Sequence, residues 1–536
     1  MRNYMAAGWF YSPQQIGRYL ATRATSLRPP KTKLRNPIRV LRDLNRHQWH
    51  MFAVGFLGWA WDSFDFCTVT LCITEIASEF NATNSAVSWG ITVTLMLRPV
   101  GALVFGGLSD RYGRKGAMIA SLFLFIVFEL ASGFAQSLPQ FLGLRALYGI
   151  AMGGLYGPAA ATALEDLPYD ARGILSGVYQ NGYAVGFLLS AIFYRALVPT
   201  TPYGWRSLFW FGSGPPVLII AYRWWLPETN SLQVMRAERE SAMAQRQAPK
   251  STAMKGTKAW LRDMRVSLKE NWVLFVYLVL LMTGFNSCSH GAGDIYATFL
   301  KNQVGLGSTE VTAITIVGQI GNIAGGVFTG YVSTFFGRRL SMMVCCILGG
   351  ALTPAFVLPR SMDLAASSFF FWFFNGGAWG PIPVYLSELS PPVLRTTAIG
   401  LTYQLGNLAA SAAATIEATI GERFPLPPKD GVKRYDYGRV IALFMAASWA
   451  YVFIFLFFGP EMSQEEREEH GAEVDQIERL RKEGVSLAEI GAERAERAKR
   501  AGLGDESTRS IYLEKPTDIE RIEEGEGMCN LPNRDG

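Results

Sequence analysis

The chain has 536 residues, of which 49% are apolar, 13% aromatic and 18% charged, with a formal charge of +6. The charges crowd into the two ends and one central stretch. Between them recur apolar runs of about twenty residues, the length that crosses a bilayer. This excludes a string of soluble domains, and a positive charge held in loops gives no reason to expect nucleic-acid binding. Of six cysteines, Cys67, Cys72, Cys288, Cys345 and Cys346 sit in apolar runs and Cys529 near the end. None has disulfide or metal-ligand spacing, so no metal and no cofactor is expected.

Residues 1–48 read as a basic cytoplasmic tail (Arg35, Arg39, Arg42, Arg46) with a Pro29-Pro30 break and one short amphipathic helix. No cleavable signal precedes the first long apolar run, near Trp49. Six spans are then expected in a bundle over 49–226, at about 50–72, 87–107, 115–134, 139–162, 172–196 and 206–226. Residues 227–271 form a polar, basic central loop. Six more spans fill 272–459, at about 273–298, 309–332, 340–358, 365–388, 395–419 and 436–458. From 460 to 536 the chain turns charged, and interleaved Glu, Arg and Lys over 463–500 read as a solvated helix followed by a disordered end. Basic residues in the tail, the central loop and the turns at Asp110–Lys115 and Gly337–Arg339 place both termini inside. Asn81-Ala-Thr83, a weak glycan-acceptor triplet, then lies outside.

The halves repeat. Gly153-Gly-Leu-Tyr-Gly157-Pro158 answers Gly376-Gly-Ala-Trp-Gly380-Pro381, and Glu165, Pro168 and Arg172 answer Glu388, Pro391 and Arg395. The offset is 223 in each case (388−165, 391−168, 395−172). Gly106-Gly-Leu-Ser-Asp110-Arg-Tyr-Gly-Arg-Lys115 answers Gly330-Tyr-Val-Ser-Thr-Phe-Phe-Gly-Arg-Arg339, and Leu226-Pro-Glu228 answers Gly459-Pro-Glu461. The chain is therefore expected to be an all-α membrane protein of twelve transmembrane helices in two pseudo-symmetric six-helix bundles. That is a transporter architecture, with its binding site at mid-membrane between the halves. Glu165 with Arg172 and Glu388 with Arg395 flank cytoplasmic turns and read as gate or hinge ion pairs.

Four groups of polar residues fall at mid-membrane: Asp62 and Asp65 in the first span, Arg98 in the second, Asn286, His290 and Asp294 in the seventh, and Tyr403, Gln404 and Asn407 in the eleventh. Asp62 and Asp65 share one helix face. Asn286, His290, Asp294 and Thr298, each four apart, form one stripe. Ionisable groups at such depth face each other or a wet cavity and mark ion or substrate paths; the alternative is a packing cluster, or an Arg98 paired with Asp62 or Asp65. A guanidinium suits a carboxylate, and a histidine beside a carboxylate takes up a proton near neutral pH. These residues point to an anion carried with a proton, with His290, Asp294, Asp62 and Asp65 in proton coupling.

The loop Gly106-xxx-Asp110-Arg111-x-Gly113-Arg114-Lys115 resembles the best-known motif of the major facilitator superfamily. The resemblance implies that Asp110, Arg111 and Arg114 hold the cytoplasmic contact between halves. In the second copy Thr334 and Phe335 replace the Asp and Arg, so that latch is expected to be lost. Within the superfamily, the chain resembles the fungal lactate/pyruvate:proton symporters of the sialate:proton symporter branch over about 45–460. Their seventh-span motif, Asn-x-x-Ser/Thr-His-x-Ser-Gln-Asp-x-x-x-Thr, is met by Asn286, Ser289, His290, Asp294 and Thr298, with Ala292 and Gly293 departing from it. The resemblance implies that Asn286, His290 and Asp294 line the substrate and proton path and that Arg98, Gln404 and Asn407 recognise the carboxylate. It implies a plasma-membrane symporter in the lipid bilayer, working as a monomer. A sugar, sialic-acid or dicarboxylate porter and a non-transporting nutrient sensor are the competing readings. No nucleophile–base pattern, phosphate loop or metal spacing suggests an enzyme.

Overall fold

Asn45 starts the first span. Its side chain accepts from the Gln48 N–H at 2.8 Å, and Gln48 Oε1 accepts from the Asn45 N–H at 3.0 Å, a reciprocal cap that launches the helix Arg46–Leu71. The computed structural model describes residues 13–27, 35–245, 253–359, 361–421, 423–429, 432–462 and 464–500. The Pro29-Pro30 break, Cys529 and the end of the tail lie outside them.

All twelve expected spans are helical. Six are unbroken and apolar enough to cross a membrane by length and composition: the second (Asn84–Tyr112), third (Arg114–Gly133), seventh (Ala253–Gly293), eighth (Ser308–Phe336), ninth (Arg338–Val357) and twelfth (Tyr437–Phe458). The first carries its two carboxylates. The other five bend into paired helices: Leu138–Gly153 with Tyr156–Leu164, Tyr169–Gln180 with Gly182–Leu197, Arg206–Gly212 with Pro215–Trp225, Leu364–Trp379 with Ile382–Leu389, and Arg395–Ala410 with Ala413–Gly421. Gly, Pro, Ser or Asn stands at each break, as at Gly214-Pro215 and Gly380-Pro381, where helix geometry is easily interrupted.

The duplication is visible in the packing. In the first half, methyl groups on Gly101, Gly149 and Gly153 would collide with the backbone of Ile150, Thr94 and Arg98, so the second and fourth spans touch backbone to backbone. Gly321, Gly325 and Gly376 do the same against Phe369, Phe373 and Asn322 in the eighth and tenth. Gly113 and Gly337 end the second and eighth spans at φ values of 106° and 90°, a region costly for other residues. Glu228 then accepts from the Lys115 N–H at 3.1 Å and Glu461 from the Arg338 N–H at 2.8 Å.

Two segments, the central loop and the charged tail, differ from expectation. The central loop is largely helical, as Asn230–Gln245 and as the long start of the seventh span at Ala253. Outside the helices, Pro425–Lys429 and Val432–Tyr435 pair as an antiparallel hairpin between the last two spans. The charged tail is more than a solvated rod. Its helices Gln464–Lys482 and Leu487–Arg500 bury Ile477 and Ile490 against Val234 of the Asn230–Gln245 helix.

This cap is anchored by polar contacts. Glu478 accepts from Asn45 and Gln48 at 3.2 Å each, and Arg481 donates to Asn230 at 3.0 Å. Asp166, between the fourth and fifth spans, accepts from the N–H groups of Asn230 and Ser231 and lies 3.1 Å from His47 Nε2. Burial alone would push its carboxyl up, but His47 and the two backbone N–H groups outweigh that and hold it below the usual range. A folded-state value below the unfolded one stabilises the cap at neutral pH, and the contribution is lost as pH falls through the lowered value. Ile477→Asp is expected to release the cap, since burying such a side chain contributes about 1.5–3 kcal/mol. Proteolysis across 464–500 should accelerate while the bundles' thermal unfolding holds; unchanged proteolysis would show that the cap does not depend on this apolar contact.

Candidate functional site

Two polar groups face the seam between bundles, one from each half. In the first half Arg98 Nη2 donates to Asp62 Oδ2 at 2.8 Å, with both side chains buried. The pair is monodentate: Arg98 Nε and Asp62 Oδ1 are buried without a hydrogen-bond partner. Gly153, pressed on the Arg98 backbone, fixes how close the fourth span comes. Asp65 does not share this environment, contrary to the expectation of one carboxylate face. Three residues on a helix leave about 60° between side chains, and Asp65 turns into the bundle toward Glu129, Arg145 and Tyr148.

In the second half, His290 bridges two elements. Its Nδ1 lies 3.1 Å from Asp294 Oδ2 and its Nε2 lies 3.2 Å from Asn407 Oδ1 on the eleventh span. Two acceptor oxygens on the two ring nitrogens suit an imidazolium, which donates from both. Asp294 retains 39% exposure and His290 23%. Asn286 instead donates to the Met282 carbonyl of its own helix at 2.8 Å. The expected stripe also breaks: the helix stops at Gly293, and Thr298 belongs to a separate short turn, Tyr296–Thr298. Gln404 is fully buried, with neither end of its amide partnered.

An aromatic layer lies between these groups and the face that carries the termini. Tyr403 stacks on Tyr156 with centroids 4.0 Å apart and meets Trp59 at 5.8 Å and Trp379 at 6.0 Å. Asn407 sits one turn, about 6 Å, farther from that face than Tyr403. Trp379 Nε1 donates to Ser289 Oγ at 2.8 Å, tying the layer to the seventh span. Tyr183 is partly exposed and lies within electrostatic reach of both Arg98 and Asp294.

Below the aromatic layer the halves are closed. Asp110 accepts from Thr396 N–H at 2.9 Å, Thr397 N–H at 2.9 Å and Thr397 Oγ at 2.8 Å, all from the other half. Glu165 takes Arg114 at 3.2 Å from its own half and Arg395 at 3.3 Å from the other. Glu388 takes Arg338 at 3.1 Å. The ion pairs thus differ from those expected. Arg172 donates to the carbonyls of Leu167 and Glu165 and braces its own turn. Arg111 lies over the Tyr112 ring, 4.7 Å from its centroid. Where the second motif copy has Thr334, the contact is backbone packing: Gly173 against Gly330 and Gly177 against Gly326. Ser176 Oγ adds a bond to the Gly380 carbonyl at 2.8 Å.

Residues 47–470 match the family described as "Sugar (and other) transporter". The chain belongs to that family. It is 35% identical over 471 residues to a carboxylic acid transporter protein homolog of Saccharomyces cerevisiae, covering 86% of this chain and 76% of the relative. It is 25% identical to the cis,cis-muconate transport protein of Acinetobacter baylyi, covering 70% and 88%, and 25% identical to the sialic acid transporter NanX of Escherichia coli, covering 72% and 90%. Its fold matches the major facilitator superfamily proton:xylose symporter XylE with a TM-score of 0.59 at 18% identity, covering 79% and 98%.

In this major facilitator transporter, sequence reasoning missed one charged cluster. Arg145 Nη1 donates to Glu129 Oε2 at 2.6 Å, fully buried, with the guanidinium 3.9 Å from the Tyr148 ring centroid. Both are lone charges in apolar runs, Glu129 in the third span and Arg145 in the fourth, so a census of intramembrane charges would have found them. A second omission, Glu417, carries the same signature in the eleventh span.

Proposed function

We propose that this transporter carries a short carboxylate, of the lactate or pyruvate type, together with a proton across the plasma membrane, with both termini cytoplasmic. The observation that carries the reading is the unfinished Arg98–Asp62 pair. Arg98 makes one bond to Asp62 and leaves Nε unpartnered. A substrate carboxylate that displaces Asp62 makes two parallel charge-assisted bonds to the same fork. Gln404, Asn407 and Tyr183 then supply the polar surroundings, and His290 with Asp294 supplies the proton. Carrying a proton with a monoanion cancels the charge moved, avoiding about 2.3 kcal/mol per 100 mV against an inside-negative potential. Three relatives named above are described as carrying acids, which supports the substrate class. At Gly293 a methyl group would meet nothing nearer than Trp372 at 3.7 Å, so the site has spare room where the related symporters carry glutamine.

The aromatic layer favours a second reading, a cyclic substrate stacked on Tyr403 and Trp379. Proteoliposome uptake of labelled lactate, pyruvate, succinate and glucose, with and without an inward proton gradient, separates the two. Gradient-dependent accumulation of a monocarboxylate is the expected result; gradient-independent glucose uptake alone would replace it with a sugar porter. His290→Gln is expected to flatten the pH profile of carboxylate uptake, and an unaltered profile would remove His290 from proton coupling.

A further inference from the structure

The outer half of the eleventh span, Ala413–Gly421, carries a buried acid that nothing in the closed face or the Arg98 group uses. Glu417 is fully buried, and neither Oε1 nor Oε2 has a hydrogen-bond partner. It lies beside Gly291, the residue that follows His290 on the seventh span. A Cβ on Gly291 would come within 3.2 Å of Glu417 Oε1, so the carboxyl packs closely on this glycine. The other wall at Gly291 is the Phe444 ring of the twelfth span.

Described charged groups lie on the two spans packed against this helix, the seventh and the twelfth. On the seventh span, Asp294 is within electrostatic reach, and it is engaged by His290. On the twelfth span, Arg439 lies over the Phe424 ring, and Tyr437 packs on Gly421. Asp436, at that helix's start, accepts from Gln303 at 2.7 Å and from the Arg439 N–H at 3.2 Å. No described lysine or arginine pairs with Glu417. An ionised carboxylate in that position has neither a cation nor a donor to offset its desolvation, whereas a neutral acid costs far less.

We propose that Glu417 is a second proton-binding site of the transport cycle, set against Gly291 between His290 and Asp294 of the seventh span. This rests on the proton-coupled reading above. Glu417 carries its proton on one carboxyl oxygen in the conformation seen here. When the outer half of the eleventh span moves, the Glu417 O–H bond breaks as an O–H bond forms on Asp294. The proton alone transfers, no electrons change hands, and the negative charge passes from Asp294 to Glu417. Asp294, partly exposed, is the relay between solvent and the buried acid. Two proton sites in series let the transporter keep a proton bound while His290 and Asp294 rearrange around the substrate.

The test is Glu417→Gln in the full chain, reconstituted in proteoliposomes with labelled lactate and pyruvate. Glutamine copies the shape of the neutral acid and cannot release a proton. Gradient-driven accumulation should be lost and the pH dependence of uptake should flatten, while exchange of internal for external substrate remains measurable. Wild-type accumulation with an unchanged pH profile would overturn the proposal and leave the symport reading standing. A wild-type protein with no response to the gradient would overturn both. A second measurement needs no variant: a lipophilic carbodiimide, which attacks protonated carboxyls, should modify Glu417 at neutral pH in the unaltered protein, as read by peptide mass. An unmodified Glu417 beside other labelled acids would also overturn the assignment.

Discussion

Replacing Arg98 with glutamine is expected to abolish carboxylate uptake and to destabilise the protein by about 3–5 kcal/mol, the usual cost of breaking one side of a buried ion pair. The stability loss arises because Asp62, fully buried, is left as a charge with no counterion. The transport loss has a different cause, since the guanidinium is the fork proposed to take the substrate carboxylate through two bonds. The two effects separate in the double variant Arg98→Gln with Asp62→Asn. Removing both charges leaves a neutral pair, so stability should largely return, and the coupling between the two sites measures the ion pair itself. Uptake should not return. Thermal unfolding in detergent and uptake normalised to surface abundance are the two readouts. Wild-type uptake by Arg98→Gln would eliminate the anion clamp, and recovered uptake in the double variant would reduce the pair to a packing element.

Asp110→Ala is expected to shift the transporter away from the conformation closed at the face of the termini. Asp110 holds two backbone N–H groups and one hydroxyl at the start of the eleventh span, across the bundle interface. Hydrogen bonds to a charged group contribute about 1.5–3 kcal/mol each. A net loss of only about 2 kcal/mol moves the closed-to-open ratio about 30-fold. The Arg395–Glu165 contact and the Gly173–Gly330 approach remain, so the closed state is weakened and not erased. A cysteine in place of Ala102, which is buried next to Gly400 of the other half, reports the change. Its alkylation from the face of the termini should accelerate in the Asp110→Ala background. An unchanged alkylation rate would mean that Asp110 does not hold the gate.

Much of the site was legible residue by residue and little of it pair by pair. Arg98, His290, Asp294, Gln404 and Asn407 stand out as polar side chains in apolar runs; Arg98, His290, Gln404 and Asn407 lie on the expected helices, and Asp294 lies in the turn just past Gly293. Their partners were less accessible. Asp65 and Asp62 are three residues apart, yet one turns to Glu129 and Arg145 and the other to Arg98. Glu165 and Arg395 are far apart in the chain and meet only because the halves close on each other. The four-residue stripe from Asn286 fails at Gly293, where the helix ends, so periodicity alone overextended it.

The sequence by itself determined which segments are long, apolar and helical, that the two halves are copies, and which side chains are expensive to bury. Each of these is local: apolar length, a constant offset and the cost of a polar atom in hydrocarbon do not depend on what packs nearby. The tertiary structure decided which carboxylate meets which cation, which face is shut, and that Glu417 lies against Gly291. Those outcomes depend on the rotation of each helix about its own axis and on close approach at glycines. A few tens of degrees or one methyl group changes the partner while the pattern along the chain stays the same.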